Sequence, residues 1–242
     1  MGIVLKLGGS ILFEGLNLKR RILEYWTEKI HELSESLDKV VVVIGGGSPA
    51  RLYIGWGRNL RLSEHTCDVL GILASRINAF LMAEYMRKKL QSLKVASKIP
   101  YSIYELIPLL DLYDVVLCGG FIPGQSTMGV AAEVAEAISS KYLLVATDVD
   151  GVYDKDPKKY PDAKRVEKEG IGRVIRRFVE YEYSAGTYKL FDVQSLKVIQ
   201  RARIWVIVFN GLDIGKSDRI IEAVVGGNIE GVEKYATVIY PE

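Results

Sequence analysis

Short runs of β-branched and aliphatic residues alternate with longer stretches of helical spacing, and this alternation restricts the fold more than any other feature. Residues 3–7, 40–44, 115–117, 143–146 and 204–209 are almost continuously apolar, the pattern of strands buried on both faces. Between them, residues 19–37 place Ile22, Leu23, Trp26, Ile30 and Leu33 on one helical stripe, and residues 67–90 repeat the pattern with Leu70, Leu73, Ala74, Ile77 and Leu81. The β-α-β-α order predicts an α/β fold: a single three-layer αβα sandwich with a mostly parallel central sheet, ligands gathering at the carboxyl ends of the strands. No Ser/Pro-rich linker interrupts it, so residues 1–242 read as one domain.

Hydrophobic residues make up 49% of the chain and charged residues 26%, which excludes disorder and a disulfide scaffold. The net charge of +2 provides no global field for nucleic acid or an anionic membrane, so neither is expected as a partner and any anion must be caught locally. Cys67 and Cys118 lack metal-ligand spacing, which predicts no metal site of their own and a reducing, cytoplasmic setting. No apolar run approaches the length of a membrane span.

Glycines cluster where strands end. Lys6-Leu7-Gly8-Gly9-Ser10 sets a lysine two residues before a glycine pair, so backbone N–H groups and a point charge can address one anion. Gly45-Gly46-Gly47-Ser48-Pro49-Ala50-Arg51 follows the second strand. Ser48 reads as a helix N-cap, Pro49 as the first helical residue and Arg51 as part of the first turn, so amides, helix dipole and guanidinium would converge on a phosphate. Gly119-Gly120-Phe121-Ile122-Pro123-Gly124-Gln125-Ser126-Thr127 leads into a helix built on Val130, Ala131, Val134, Ala135 and Ile138, with Ser126 or Thr127 as cap. Thr147-Asp148-Val149-Asp150-Gly151-Val152-Tyr153 leaves the fourth strand, and by itself Asp150-Gly151 reads as a tight hairpin.

Two features compete for attention. Gly211-Leu212-Asp213-Ile214-Gly215-Lys216-Ser217 imitates a Walker loop, but Asn210 occupies the position of its first glycine, so the simpler reading is a helix over 217–225 capped by Ser217 or Asp218. Residues 155–177 carry nine Lys or Arg against four acidic residues, a solvated face whose cations suit a nucleotide's phosphates better than a nucleic acid. The adjacent Tyr25 and Trp26 give the 19–37 helix apolar surface on more than one face, one for the core and one for a neighbouring subunit.

Together the four glycine loops, in this order, resemble the amino acid kinase family, with the Pro-Gly-Gln-Ser-Thr run at 123–127 pointing to its archaeal-type uridylate kinases. The resemblance implies phosphoryl transfer from ATP to UMP in pyrimidine nucleotide synthesis, with magnesium carried by the ATP and a homohexameric assembly. It divides the domain into an acceptor part over about 1–140 and an ATP part over about 141–242. It assigns catalysis to Lys6 and Arg51. ATP falls to Gly9, Ser10, Gly47, Arg51, Thr147, Asp148, Tyr153 and Asp156. UMP falls to Gly46, to Asp68 at the start of the long helix, and to Phe121, Ile122, Pro123, Gly124, Gln125, Ser126 and Thr127.

Two positions depart from that pattern. Asp148 stands where relatives usually carry Asn, exchanging a donor for an acceptor beside an anionic nucleotide. Met128-Gly129 replaces the Asp that orients the catalytic lysine in many members, which passes the orienting role to Asp150. Other acceptors on the same scaffold, or a non-catalytic nucleotide- or oxyanion-binding protein, are the alternatives. Asp68 with 125–127 argues against the first, Lys6 with Arg51 against the second.

Overall fold

The computed structural model describes residues 2–157, 159–181 and 190–242. The chain runs β1 (Gly2–Leu7), α1 (Gly9–Leu12), a small hairpin of β2 (Phe13–Glu14) and β3 (Asn17–Leu18), then α2 (Arg20–Ser36), β4 (Lys39–Ile44), α3 (Gly47–Asn59), α4 (Glu64–Lys89), α5 (Ile103–Leu109) and β5 (Val115–Cys118). It continues through α6 (Thr127–Ala137), β6 (Tyr142–Thr147), β7 (Lys168–Gly170), α7 (Ile171–Tyr181), α8 (Val193–Arg201), β8 (Trp205–Asn210), α9 (Ile214–Val225) and β9 (Thr237–Tyr240).

The central sheet has the order β5-β4-β1-β6-β8-β9-β7. Its first five strands are the five apolar runs of the sequence, and they pair in parallel. β9 reverses direction against β8. The pleat sorts β1 between two cores. Ile3, Leu5 and Leu7 pack with Trp26, Ile30 and Leu33 of α2 and Met82 of α4, while Val4 packs with Val130 and Val134 of α6 and Leu196 and Ile199 of α8. Helices therefore cover both faces, as a parallel sheet requires.

Several local expectations are revised. Tyr25 and Trp26 both turn inward: the Trp26 indole N–H donates to the Gly211 carbonyl at 3.1 Å and Tyr25 Oη to Asp218 at 3.0 Å, so this helix offers no aromatic face to a neighbour. The long helix starts at Glu64, capped by Ser63 Oγ accepting from the Thr66 N–H, which leaves Asp68 in its second turn and not at its start. At 26 residues α4 is long and apolar enough to cross a membrane, yet it packs on the sheet and carries Asn78 and Arg76 inside the fold. Asp213, not Ser217 or Asp218, caps α9 by accepting from the Lys216 N–H. Asp150-Gly151 makes no tight hairpin. The returning chain meets the segment after it at an isolated bridge between Tyr153 and Arg165 and through the Lys155–Asp162 pair.

The basic run is less solvated than its composition suggests. Arg165 donates to the carbonyls of Glu233, Lys234 and Ala236, Lys155 pairs with Asp162, and Arg177 pairs with Glu169 at 2.7 Å. Lys158 lies outside the described residues.

Candidate active site

β1 lies between β4 and β6, and the loops leaving all three meet at its carboxyl end. The Gly8 N–H donates to the Ala146 carbonyl at 2.9 Å and the Gly45 N–H to the Leu7 carbonyl at 2.8 Å, so the ladder continues just beyond the strands and both loops turn at one level. There the backbones of Gly9 and Gly47 touch. Gly47 adopts φ +63°, and a side chain on either residue would strike the other's main chain.

Lys6 shares the sheet face of Val4 and lines one cleft with the first residues of α6. It is only 9% exposed. Burial drives its ammonium from the ordinary 10.5 down to about 8, and the Asp148 carboxylate pulls it partly back. Asp148 is thus the carboxylate that acts on Lys6. Asp150 faces Lys216 at 3.4 Å instead, which removes it from the orienting role.

The helix after the triple glycine begins two residues earlier than its Ser-Pro pair suggests. Gly46 is its N-cap, no side chain closes the first turn, and Ser48 Oγ is buried without a partner among the described residues. Arg51 then lies just past the first turn, exposed, above amides that α3 leaves open. From below, Asn78 Nδ2 donates to the carbonyls of Gly45 and Gly46 at 3.0 and 3.1 Å and fixes the loop.

The loop over 119–127 is tied to α4 at both ends. Ser75 Oγ accepts from the Gly120 N–H at 2.8 Å, Arg76 donates to the Gly120 and Phe121 carbonyls, and Asp68 Oδ2 accepts from the Gly124 N–H at 2.8 Å. Ser126 caps α6 by accepting from the Gly129 N–H, and its hydroxyl donates to Asp192, which itself caps α8. Gln125 Nε2 donates to Glu133 at 2.9 Å, while its Oε1 is buried and unpartnered among the described residues.

Two clefts open over these loops. One, of about 400 Å³, is lined by Lys6, Gly9, Ser10, Arg51, Thr147 and Asp148 among others; its neighbour, of about 470 Å³, is lined by Asp68, Gly71, Ser75, Gly120, Gly124 and Gln125 among others. Gly46, Gly47, Arg51, Ser126 and Thr127 belong to both, so they form a shared rim. Five residues singled out in the sequence line neither cleft. The Phe121 side chain is buried in the core, Ile122 is exposed, Pro123 lies beside it, and Tyr153 and Asp156 stand on the segment beyond Gly151.

The sequence model of the Amino acid kinase family matches residues 1–210, most of the chain. The chain belongs to the amino acid kinase family. Among curated relatives of this amino acid kinase, the uridylate kinase of Metallosphaera sedula is 43% identical over 80% of this chain and 84% of its own. That of Sulfurisphaera tokodaii is 40% identical over 96% of this chain and 98% of its own. Of solved structures, the uridylate kinase from Archaeoglobus fulgidus superposes with a TM-score of 0.80 at 33% identity, covering 99% of this chain and all of that one. The UMP kinase from Bacillus anthracis shares the fold, with a TM-score of 0.77 at 21% identity over 100% of this chain and 96% of its own.

In this amino acid kinase a carboxylate from the cap of α8 comes close to the start of α6. Asp192 Oδ2 lies 3.7 Å from where a β-carbon on Gly129 would stand. Sequence reasoning did not reach Asp192, Ser75, Arg76 or Asn78, because each acts on a loop distant in the chain and none lies in a glycine motif.

Proposed function

We propose that this protein is a uridylate kinase that transfers the γ-phosphoryl group of ATP to the phosphate of UMP, giving ADP and UDP for pyrimidine nucleotide synthesis. One observation carries the reading: two clefts share a rim of Gly46, Gly47, Arg51, Ser126 and Thr127, so a donor in one and an acceptor in the other would meet there. An oxygen of the UMP phosphate attacks the γ-phosphorus as the bond to the bridging oxygen of ADP breaks. Such a transfer asks the protein for positioning and charge neutralisation.

Lys6, the open amides of α3 and Arg51 supply that charge where phosphoryl oxygens would gather. Gly9, Ser10, Thr147 and Asp148 take the ATP side. Gly46, Asp68 and the 124–127 stretch take UMP, where the unpartnered Gln125 Oε1 offers an acceptor to a base N–H. The ATP part, about 141–242, borrows the β1 loop from the acceptor part, about 1–140. Magnesium enters this reading with the substrate, as MgATP, and neutralises phosphate charge alongside Lys6 and Arg51.

The assembly is proposed as a homohexamer in the cytoplasm. Trp56 of α3, Leu60 just after it, and Ile77 and Phe80 of α4 are more than half exposed, an apolar surface suited to a subunit contact, and the two free, buried cysteines suit a reducing compartment. ADP release measured with UMP, CMP, dUMP, acetylglutamate and isopentenyl phosphate tests the acceptor. Preference for any compound other than UMP overturns the assignment. No turnover with any of them, alongside a rise in Tm with UMP, favours a binding protein. Light scattering at micromolar concentration tests the assembly.

A further inference from the structure

Arg76 lines neither cleft, yet it is built into the acceptor side more firmly than most residues that do. Its Nε donates to the Gly120 carbonyl and its Nη2 to the Phe121 carbonyl, both at 2.9 Å. Two consecutive carbonyls are thus gripped by one rigid fork, a geometry that the single ammonium of lysine cannot reproduce. The Tyr101 ring covers the guanidinium, with its centroid 4.2 Å from Cζ.

Tyr101 is in turn set by the start of α5. Its N–H donates to Glu105 Oε2 at 3.2 Å, Glu105 pairs with Lys98 at 3.0 Å, and Ser102 caps the helix. A partly buried charged side chain whose hydrogen bonds go to two neutral carbonyls, under a phenol ring, does little for stability that an apolar residue could not do. What it does is fix backbone height.

We propose that Arg76 is a positioning residue for the acceptor: it locks the loop from Gly120 onward against α4, with Tyr101 as the cover that holds its fork in place. The inference rests on reading the 124–127 stretch as the UMP side. Asp68, two helical turns earlier on α4, holds the Gly124 N–H, so one helix grips the loop before and after Ile122-Pro123. Gln125, Ser126 and Thr127 are then presented to the cleft from a braced base. Removing Arg76 would free two carbonyls and let that base move, which a site requiring placement within a fraction of an ångström does not tolerate.

The test uses the full-length protein with Arg76→Ala, Arg76→Lys, Tyr101→Leu and Tyr101→Phe. Amide hydrogen exchange of the 119–127 segment without nucleotide reads the clamp, and KM for UMP, KM for ATP and kcat read its consequence. Arg76→Ala is expected to speed exchange there and raise KM for UMP about 10- to 100-fold, the loss of charge-assisted hydrogen bonding, with KM for ATP within about twofold. Arg76→Lys should recover less than half of that loss on a logarithmic scale. Tyr101→Phe should match the parent and Tyr101→Leu should fall between. Because Tyr101 is more than half exposed, that pair probes the clamp without risk to folding.

Unchanged exchange with KM for UMP within about twofold overturns the proposal, as does a uniform fall of Tm, kcat and both affinities. Faster exchange in Arg76→Ala, when the parent does not phosphorylate UMP, upholds the clamp and overturns the acceptor reading instead.

Discussion

Gly9 and Gly47 approach so closely that neither can carry a side chain. A β-carbon on Gly9 would stand 2.0 Å from the Gly47 nitrogen, and one on Gly47 would stand 2.7 Å from the Gly9 carbonyl carbon. Both obstacles are backbone, which cannot swing aside as the end of a long side chain would.

Gly9→Ala is therefore expected to separate the two loops. Overpacking of this kind costs about 1 to 3 kcal/mol, and the displaced amides should depress kcat more than stability. Gly55→Ala is the internal contrast, since Gly55 lies within α3 with open space around it. There alanine should stabilise by about 0.5 to 1 kcal/mol. Urea titrations and steady-state kinetics on the two variants check the pair; equal effects on both would contradict the interlock.

The second expectation concerns Lys6, whose folded pKa of about 8 lies below its ordinary 10.5. Below pH 8 the native state buries an ammonium that the unfolded chain keeps in water. Between about 8 and 10.5 the native lysine has lost its proton while the unfolded one retains it, so this group makes stability rise with pH across that window. Lys6→Met removes the burden and should stabilise the protein at pH 7 by on the order of 3 kcal/mol, at about 1.4 kcal/mol per factor of ten, with the advantage gone above pH 10.5. The same variant should lose about 100- to 1000-fold in kcat, with KM for UMP changed less than tenfold. A variant that is no more stable than the parent at pH 7 would show that Lys6 is not buried as a cation.

For Asp68 the geometry sharpens the expected outcome. Oδ2 already accepts from the Gly124 N–H, which leaves Oδ1 for a ligand hydroxyl. Asn at this position keeps an acceptor for Gly124 but loses the charge, so Asp68→Asn should raise KM for UMP about 10- to 150-fold and leave KM for ATP nearly intact. Asp68→Ala, which also frees the loop, should do worse. Equal losses from the two variants would show that loop anchoring is all the residue does.

The strands of the sheet's parallel part and the glycine loops were legible because burial on both faces and open backbone each leave a compositional mark. Short strands were not. Lys168-Glu169-Gly170 carries no apolar alternation and is a strand only because β9 is there to pair with it. Helix starts were misjudged where polar residues open the helix: Glu64 and His65 precede the apolar stripe of α4, and Ser48-Pro49 imitates a cap that Gly46 already provides. Residues that serve the site through its backbone stayed invisible for a different reason. Ser75, Arg76 and Asn78 face loops 32 to 45 residues away in the chain, and nothing in their neighbours marks them.

The strand order has one more consequence. The strands on the β4 side of β1 come from the first half of the chain, and those on the β6 side come from the second. One wall of the double cleft is thus a continuous stretch of sequence, joined to the other wall at a single crossover between α6 and β6. Recombination at that one joint, with β1 kept, would exchange an entire wall, and the new wall would have to supply partners for Ser126, Trp26 and Tyr25, whose hydrogen bonds cross between the two.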